Sequence, residues 1–287
     1  MFGRKIKVGI AFGGGGTRGF SHLGAIKAFE EFGIKFDYVA GTSAGSLVGA
    51  FYAAGYTYKQ MYEIIKNVKE RDIRKNIIPF TPSKIDGIGE LIIDNLGDIN
   101  IEDLKIPFSA VAVDIKSTKE ICLAKGNLAK AVMGSCAVPG IFTPVVYNDM
   151  ILCDGGLQNT IPADVPRYFG CDYVISVDVN KSRTYGTDST KVLDVLTCSI
   201  RILMKSNAVR GYVNSDVIIA PETKRFKSTK TDGMDDMIEE GYKAAIDMMP
   251  KIIAIFKKRK KHRVKVFPSD ITIIKWFAKY KVKKWTM

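Results

Sequence analysis

Ser43 is the residue of this chain whose setting most clearly indicates chemistry. It is the centre of Gly-Thr-Ser-Ala-Gly at 41–45, which follows an apolar run at 36–40 and precedes an apolar segment with a helical pattern. In a Gly-x-Ser-x-Gly turn the backbone passes so sharply from strand to helix that Gly41 and Gly45 have no room for side chains, and the serine oxygen is left exposed. The sequence therefore predicts a nucleophile elbow, with an ordinary turn between strand and helix as the alternative.

A glycine-rich loop lies upstream of the serine. Residues 13–19 read Gly-Gly-Gly-Gly-Thr-Arg-Gly, between a strand-like segment at 7–12 and a helical pattern at 20–32. Backbone amides at a helix N-terminus carry partial positive charge, and they can bind a phosphate or the transient oxyanion of acyl transfer. The loop alone leaves both uses open.

The same glycines also fit a dinucleotide-binding pattern, because Gly14, Gly16 and Gly19 are spaced as G-x-G-x-x-G after a strand. Such a site needs an acid about 20 residues on, at the end of the second strand. Asp37 stands at the beginning of that strand instead, and no Gly-Lys-Ser/Thr follows the glycines. The first observation disfavours a dinucleotide site, and the second excludes a P-loop.

A nucleophilic serine needs a base, and the chain has only two histidines. His22 lies in the first turns of the helix after the glycine loop, which indicates a structural role. His262 lies in the basic run 257–263, where a positive field opposes the uptake of a further proton. Neither matches the late histidine of an ordinary triad. A carboxylate is therefore the better candidate.

Asp154 is the best-placed carboxylate, because it ends the apolar strand at 150–154 and is followed by two glycines. Asp114 and Asp178 also end apolar runs and are its rivals. The shape of the motif, rather than its spacing, selects Asp154. A simple Asp-Gly turn is the alternative.

Three of these motifs, in this order, resemble those of the patatin-like phospholipase family. They are Gly-Gly-Gly-Thr-Arg-Gly at 14–19, the serine turn at 41–45 and Asp-Gly-Gly at 154–156. The small-residue block at 135–140, which ends in Pro-Gly, is similar to a family block as well. The resemblance covers roughly residues 6–250. The chain has one extra leading glycine, and the family often has alanine where Gly156 stands.

The resemblance implies a lipid acyl hydrolase of the phospholipase A or lysophospholipase type, with a Ser–Asp dyad and no cofactor or metal. Ser43 would be the nucleophile, Asp154 the general base, and the amides of Gly14, Gly15 and Gly16 the oxyanion hole. It also implies a three-layer α/β/α fold with a mostly parallel central sheet. The residues expected to support the site are Thr17, Arg18, Gly19, Gly41, Gly45, Gly155, Gly156 and Pro139. Arg18 would brace the loop, the favoured role, or offer its positive charge to the lipid phosphate.

The proposed base needs an altered environment. A carboxyl group with an ordinary pKa near ~3.9 is a poor base at neutral pH. We therefore expect partial desolvation to raise the pKa of Asp154.

The order of predicted elements indicates one large α/β domain at 1–250, with helices on both faces of a mostly parallel sheet. In such sheets, sites lie at the carboxyl ends of strands, where all three motifs fall. Loops are predicted at 81–89 and 181–188. The predicted strands are 6–12, 36–41, 107–115, 119–124, around 143–153, 172–179 and 215–220; the predicted helices are 18–32, 44–55, 127–135, 191–208 and 234–249, with a mostly helical stretch up to 97.

The positive charge of the chain is concentrated in a basic, aromatic C-terminal extension at 251–287. This segment has 13 Lys or Arg and one acid, Asp270, whereas the whole chain has 43 basic and 30 acidic residues. Lysines interleaved with aromatic residues suit peripheral contact with an anionic membrane. A solvated tail, or extra elements that pack on the body, is the alternative. No nucleic-acid motif accompanies the charge.

Localisation is predicted as cytoplasmic, with peripheral contact at the inner face of the membrane. No apolar run reaches the 18 residues of a membrane span, and the first core strand starts too early to leave room for a signal peptide. The five cysteines are an odd set without metal-like spacing, which indicates reduced core thiols. A catalytically silent lipid-binding protein and a nucleotide-binding module are the alternatives to an enzyme.

Overall fold

The structure, a computed structural model, describes residues 4–68, 82–182, 185–226, 233–261 and 263–264. Its strands are β1 (Arg4–Lys5), β2 (Val8–Phe12), β3 (Tyr38–Thr42), β4 (Phe108–Asp114), β5 (Lys119–Leu123), β6 (Val145–Tyr147), β7 (Met150–Asp154), β8 (Tyr173–Val177), β9 (Val217–Ile219) and β10 (Arg263–Val264). Its α-helices are α1 (Phe20–Glu31), α2 (Ala44–Ala53), α3 (Tyr58–Ile65), α4 (Asp86–Leu96), α5 (Leu128–Cys136), α6 (Asp164–Tyr168), α7 (Val192–Ser206), α8 (Ala208–Asn214) and α9 (Met234–Lys261).

In the part of the chain that the structure describes, eight strands form the central sheet, which is parallel from β4 through β3, β2 and β8 to β9. The strands at the centre are buried along their whole length, which is why they appear in the sequence as continuous apolar runs. Strands β5, β6 and β7 are antiparallel additions at one side. The predicted mostly parallel sheet is therefore confirmed.

Helices cover both faces of this sheet. One apolar cluster joins the sheet to α1, α2, α4, α5 and α9, and a second, smaller one joins the opposite face to α6 and α8. Two layers of helices around one sheet allow both faces of the buried strands to exclude water. The predicted three-layer α/β/α architecture is confirmed.

The register of β4 brings two other strands together end to end. Strand β5 pairs with Ala110–Asp114 of β4, while β3 pairs with 108–111 and β7 with 112–114. Because a strand has only two edges and β5 occupies one of them, β3 and β7 share the other. They run in opposite directions along it, so their carboxyl ends meet where Thr42 lies opposite Val111 and Asp154 opposite Ala112.

Two predicted boundaries are wrong. The segment at 81–89 was expected to be a loop, but α4 begins at Asp86. Its glycines favour packing here: a Cβ at Gly89 would lie 2.6 Å from the sulfur of Met133, so the glycine lets α4 lie close to α5. The last helix, expected at 234–249, continues through Pro250 to Lys261. Buried Ile252 and Ile255 hold this part against the core, which offsets the hydrogen bond that proline removes.

The predicted C-terminal extension is therefore helical over its first eleven residues, 251–261. The predicted membrane contact is assigned to 251–287, and the part of that segment at 265–287, with its aromatic residues and remaining lysines, lies outside the described residues. Parts of the predicted loops at 81–89 and 181–188 also lie outside them. The domain boundary at 250 stays a prediction. None of the helices in the part of the chain that the structure describes is long and apolar enough to cross a membrane.

Candidate active site

Ser43 lies at the turn between β3 and α2 in a backbone conformation that is rare for a residue with a side chain, with φ of 54° and ψ of −130°. The turn is tight on both sides. A Cβ at Gly41 would overlap the carbonyl group of Gly45, and a Cβ at Gly45 would overlap the carbonyl group of Phe12. The backbone therefore makes a tight strand-to-helix turn that leaves no space for a side chain at either glycine, as expected of a nucleophile elbow.

We expect Gly45→Ala to destabilise the fold by about 3 kcal/mol or more, because the added methyl group meets backbone atoms that cannot rotate away. Gly186→Ala is the matched control, since a Cβ there meets nothing within 4 Å. Urea unfolding of both variants measures the difference. Equal stability of the two variants would contradict the close approach of α2 to β2.

The meeting of β3 and β7 brings Ser43 and Asp154 together from positions 111 residues apart. Both are buried, with Asp154 fully so. Ser135 on α5 holds the junction: its hydroxyl accepts a hydrogen bond from the Ser43 amide at 3.0 Å and donates one to the Val111 carbonyl at 2.6 Å. The elbow is thus tied to the strand that positions the carboxylate.

Burial raises the pKa of Asp154 to about 6, against the opposing effects of the Ser43 side chain and the Gly156 amide. Oδ1 accepts a hydrogen bond from that amide at 2.8 Å. Oδ2 is buried and has no partner of ordinary hydrogen-bond geometry among the described residues, although Ser43 is near enough to lower the pKa. Catalytic hydrogen bonds are often loose before substrate binds. The predicted rise in pKa is consistent with this environment.

The glycine loop is held by four hydrogen bonds. The Gly13 amide donates to the Val177 carbonyl at 2.9 Å, and the Gly14 amide donates to the Thr160 carbonyl at 3.0 Å. The Gly13 carbonyl contacts His22 Nε2 at 2.8 Å, and the Gly14 carbonyl accepts from Asn180 Nδ2 at 2.6 Å. The loop backbone is therefore fixed on both sides before any substrate arrives.

This bonding corrects one expected donor. The Gly14 amide is already engaged, so it is not available to an oxyanion in this conformation. The Gly15 and Gly16 amides have no partner in the described part of the chain. The Gly14 carbonyl and the Gly15 amide belong to one trans peptide, in which the C=O and N–H point in opposite directions. Because the carbonyl faces Asn180, the Gly15 amide points away from Asn180. Gly16 has φ of 60°, which glycine adopts without strain.

His22 has the structural role that its position indicates. It is fully buried, and burial lowers its pKa to about 4, so the ring is neutral at physiological pH. A neutral ring can donate from Nε2 to the Gly13 carbonyl. It also packs edge-on against Phe12, with ring centroids 5.1 Å apart.

The rival carboxylates have other partners. Burial alone would raise the pKa of Asp114, yet hydrogen bonds from Ser117, Ile151 and Lys116 lower it, as in a turn cap. Asp178 accepts hydrogen bonds from the Tyr212 hydroxyl and the Asn180 backbone N–H, and burial raises the pKa of Asp178.

The predicted supporting residues surround the elbow and the loop. Arg18 is buried, and its Nη2 lies 3.4 Å from the Tyr185 hydroxyl. A Cβ at Gly19 would lie 2.7 Å from that of Ala44, and one at Gly155 would overlap the Val111 carbonyl. A Cβ at Gly156 would overlap the flexible end of Met204 and lie 3.0 Å from Asp154 Oδ1. Thr17 lines the cavity described next, and half-buried Pro139 follows α5.

A cavity of about 280 Å³ opens over Ser43 and the glycine loop. One part is apolar, with walls from α2, α3, α4 and the segment after α5. The polar and charged residues that line the cavity include Arg18, Asp178, Asn180, Arg201 and Lys205. Within the described ranges, no three His, Cys, Asp or Glu side chains are grouped as metal ligands.

Sequence reasoning missed the residues that position the site, namely Ser135, Asn180 and Thr160. Ser135 belongs to the small-residue block noted at 135–140, but its type alone does not reveal contact with the elbow. Asn180 follows β8 by three residues, and its place at the carboxyl edge was the only available signal.

Comparisons with known proteins identify the family of this chain. The sequence model of the patatin-like phospholipase family matches residues 10–167. The chain is 32% identical over 180 residues to an uncharacterised NTE family protein of Mycobacterium tuberculosis, covering 61% of this chain and 50% of that one. It is 32% identical over 184 residues to the lysophospholipase NTE1 of Saccharomyces cerevisiae, covering 61% of this chain and 11% of that one.

A solved structure, VipD from Legionella pneumophila, has the same fold with a TM-score of 0.57 at 13% identity, covering 86% of this chain and 67% of that one. The chain spans about half the length of the mycobacterial relative and a smaller share of the yeast protein. The family match covers more than half of the chain, which therefore belongs to the patatin-like phospholipase family.

Proposed function

We propose that this chain is a lipid acyl hydrolase of the phospholipase A or lysophospholipase type that uses a Ser43–Asp154 dyad. The observation that carries the proposal is the meeting of an elbow serine with a fully buried carboxyl group whose pKa is raised to about 6. A carboxyl group with a pKa near working pH is an effective general base. Nucleotide binding by the glycine loop is not favoured by the family to which the chain belongs.

The proposed reaction begins when Ser43 Oγ attacks the ester carbonyl and Asp154 accepts its proton. The amides of Gly15 and Gly16 would stabilise the oxyanion, since they face no other acceptor in the described chain. The tetrahedral intermediate expels the alcohol, which takes the proton from Asp154, and an acyl-serine remains. Asp154 then takes a proton from water, which attacks the acyl group. The second tetrahedral intermediate breaks its bond to Ser43 Oγ, which takes the proton back from Asp154, and the fatty acid is released.

The shape of the cavity supports a lipid ester as substrate. Its apolar part, lined by Leu47, Phe51, Ile64 and Ile88 among others, suits an acyl chain. Its basic lining residues, Arg18, Arg201 and Lys205, suit the phosphate of a headgroup.

We expect Asn180→Ala to lower kcat by about tenfold with little change in KM. The Gly14 carbonyl would lose its partner, and the Gly15 amide would lose part of its alignment toward the oxyanion, a kind of donor that is worth about 2.7–4 kcal/mol when removed entirely. Asn214→Ala is the matched control, because its side-chain amide also donates to a carbonyl group, that of Arg210, and neither residue lines the cavity. Steady-state kinetics on a soluble ester compares kcat of the two variants. Equal kcat values would show that Asn180 does not position the loop.

A fluorophosphonate probe and a product assay together test the proposed function. The probe should attach to Ser43, as located by peptide mass spectrometry, and mixed vesicles of phosphatidylcholine and lysophosphatidylcholine should release free fatty acid. A protein that neither reacts with the probe nor releases fatty acid, while a control serine hydrolase does both, would refute the proposal.

A further inference from the structure

Helix α7 presents an apolar face to solvent. In a helix at the surface of a globular protein the apolar stripe normally faces the core. Here the outward positions, which are spaced as one helical face and also include Ser199 and Ser206, carry large apolar side chains with 42–74% of their surface exposed. These residues, called the α7 face below, are Val192, Val195, Leu196, Ile202 and Leu203.

The opposite side of α7 forms part of the cavity wall. Arg201, Met204 and Lys205 line the cavity, and Met204 lies over Gly156, two residues after the proposed base. The Met204 carbonyl accepts a hydrogen bond from the Thr160 hydroxyl at 2.5 Å. One side of this helix therefore borders the site while the other side faces outward.

The charges on and just before α7 are mainly positive. Lys191 precedes the helix, and Arg201 and Lys205 lie on its cavity side, against a single acid on the helix, Asp194. A helix with one apolar face and mainly basic charges elsewhere has the pattern of helices that lie in the headgroup region of anionic membranes. Fifteen residues are too few to span a bilayer, so the pattern fits binding at the surface.

We propose that α7 is an interfacial helix that inserts its apolar face into an anionic lipid bilayer and so brings the cavity to the lipid surface. This inference rests on the proposed function for the identity of the substrate. This contact is distinct from the one predicted for 251–287. Binding through the α7 face depends on the burial of apolar side chains, so we expect it to be less sensitive to salt than binding through basic residues.

The test compares two double variants of the full chain in the Ser43→Ala background, where no turnover occurs. Leu196→Glu/Leu203→Glu places two carboxylates on the α7 face. Phe32→Glu/Ile93→Glu is the matched control, since it makes the same chemical change at side chains of similar exposure. Phe32 follows α1, about 18 Å along that helix from the glycine loop, and Ile93 is in the last turn of α4.

Sedimentation with vesicles measures binding, with equal amounts of phosphatidylglycerol and phosphatidylcholine in one set and phosphatidylcholine alone in the other. At high salt we expect the α7 variant to partition into the mixed vesicles at least about tenfold more weakly than the parent, and the control to bind as the parent does. A third variant, Leu196→Gln/Leu203→Gln, should also bind more weakly, which separates lost apolar contact from added charge. Circular dichroism confirms that each variant is folded.

Equal vesicle binding by the parent and both α7 variants would overturn the proposal. So would sedimentation velocity that shows a dimer for the parent and a monomer for the α7 variants, with vesicle binding unchanged, because a second copy would then cover the face. With Ser43 restored, the Glu variant should hydrolyse a soluble short-chain ester normally but vesicle lipid poorly. Absence of hydrolysis in the wild type refutes the proposed function instead, and leaves the binding result to stand by itself.

Discussion

Replacement of Ser43 by alanine should lower ester hydrolysis by about 10⁴-fold or more and abolish labelling by a fluorophosphonate, because no other hydroxyl group replaces the nucleophile at the elbow. The fold should survive. The amide of residue 43 keeps its hydrogen bond to Ser135, and alanine has the same backbone preferences as serine at this turn. We therefore expect the free energy of unfolding to change by no more than about 1 kcal/mol.

Ser109→Ala provides the control for loss of a buried hydroxyl group. Ser109 lies on β4 and pairs with the Tyr38 hydroxyl at 2.5 Å, away from the cavity. This variant should lose some stability and keep its activity. If Ser43→Ala retains turnover comparable to that of Ser109→Ala, the nucleophile lies elsewhere.

Replacement of Asp154 by asparagine should lower kcat by about 10²–10⁴-fold, the usual contribution of a general base. Asparagine has nearly the same shape, and its carbonyl oxygen can still accept from the Gly156 amide. Asp114→Asn is the control, since that carboxylate caps a turn through backbone amides. Asp114→Asn should cost stability and spare kcat; the reverse pattern would transfer the role of base to Asp114.

The same carboxyl group sets the expected pH profile. Asp154 must lose its proton to act, so kcat/KM on a soluble ester should rise with pH through about 6 and level off above it. His22, with a pKa lowered to about 4 by burial, adds no inflection between pH 5 and 8. An inflection near 7 that disappears in a His22 variant would contradict this assignment.

Asp154→Asn should also stabilise the protein at neutral pH. The folded-state pKa of about 6 lies above the ordinary value of 3.8, so between these values the folded chain holds a proton that the unfolded chain has released. Stability is therefore lost as pH rises through this window, and above it the cost reaches about 3 kcal/mol, at 1.36 kcal/mol per unit. Denaturant unfolding at pH 4 and 7.5 should show the gain only at the higher pH. A variant that is equally stable or less stable at pH 7.5 would mean that the carboxylate is better solvated than its burial indicates.

The elements that carry the site could be predicted because each depends on local sequence. Gly41 and Gly45 are dictated by a turn with no space for a Cβ, and Asp154 by a strand that stops at an acid. The residue preferences of such turns depend on a few neighbouring residues, so they can be predicted without knowledge of the rest of the fold.

The positioning contacts could not be predicted because they depend on register between distant segments. The local sequence does not indicate that the Thr160 carbonyl accepts a hydrogen bond from the Gly14 amide. Nor does it indicate that β7 pairs with β4 directly beyond the residues that pair with β3. Similarly, Pro250 indicates the end of a helix locally, whereas burial of Ile252 and Ile255 extends the helix past it. Tertiary packing decided these cases against local preference.

The end-to-end meeting of β3 and β7 has a consequence for how the chain folds. The serine and the carboxylate come from separate units, a parallel strand–helix turn and an antiparallel strand, and they meet only after a long stretch of chain has closed on itself. Such non-local pairing is slow, because the entropy of loop closure is lost before the contacts that reward it form. Reactivity toward a fluorophosphonate during refolding should therefore recover later than helical circular dichroism, so that active-site chemistry reports the final docking of the sheet.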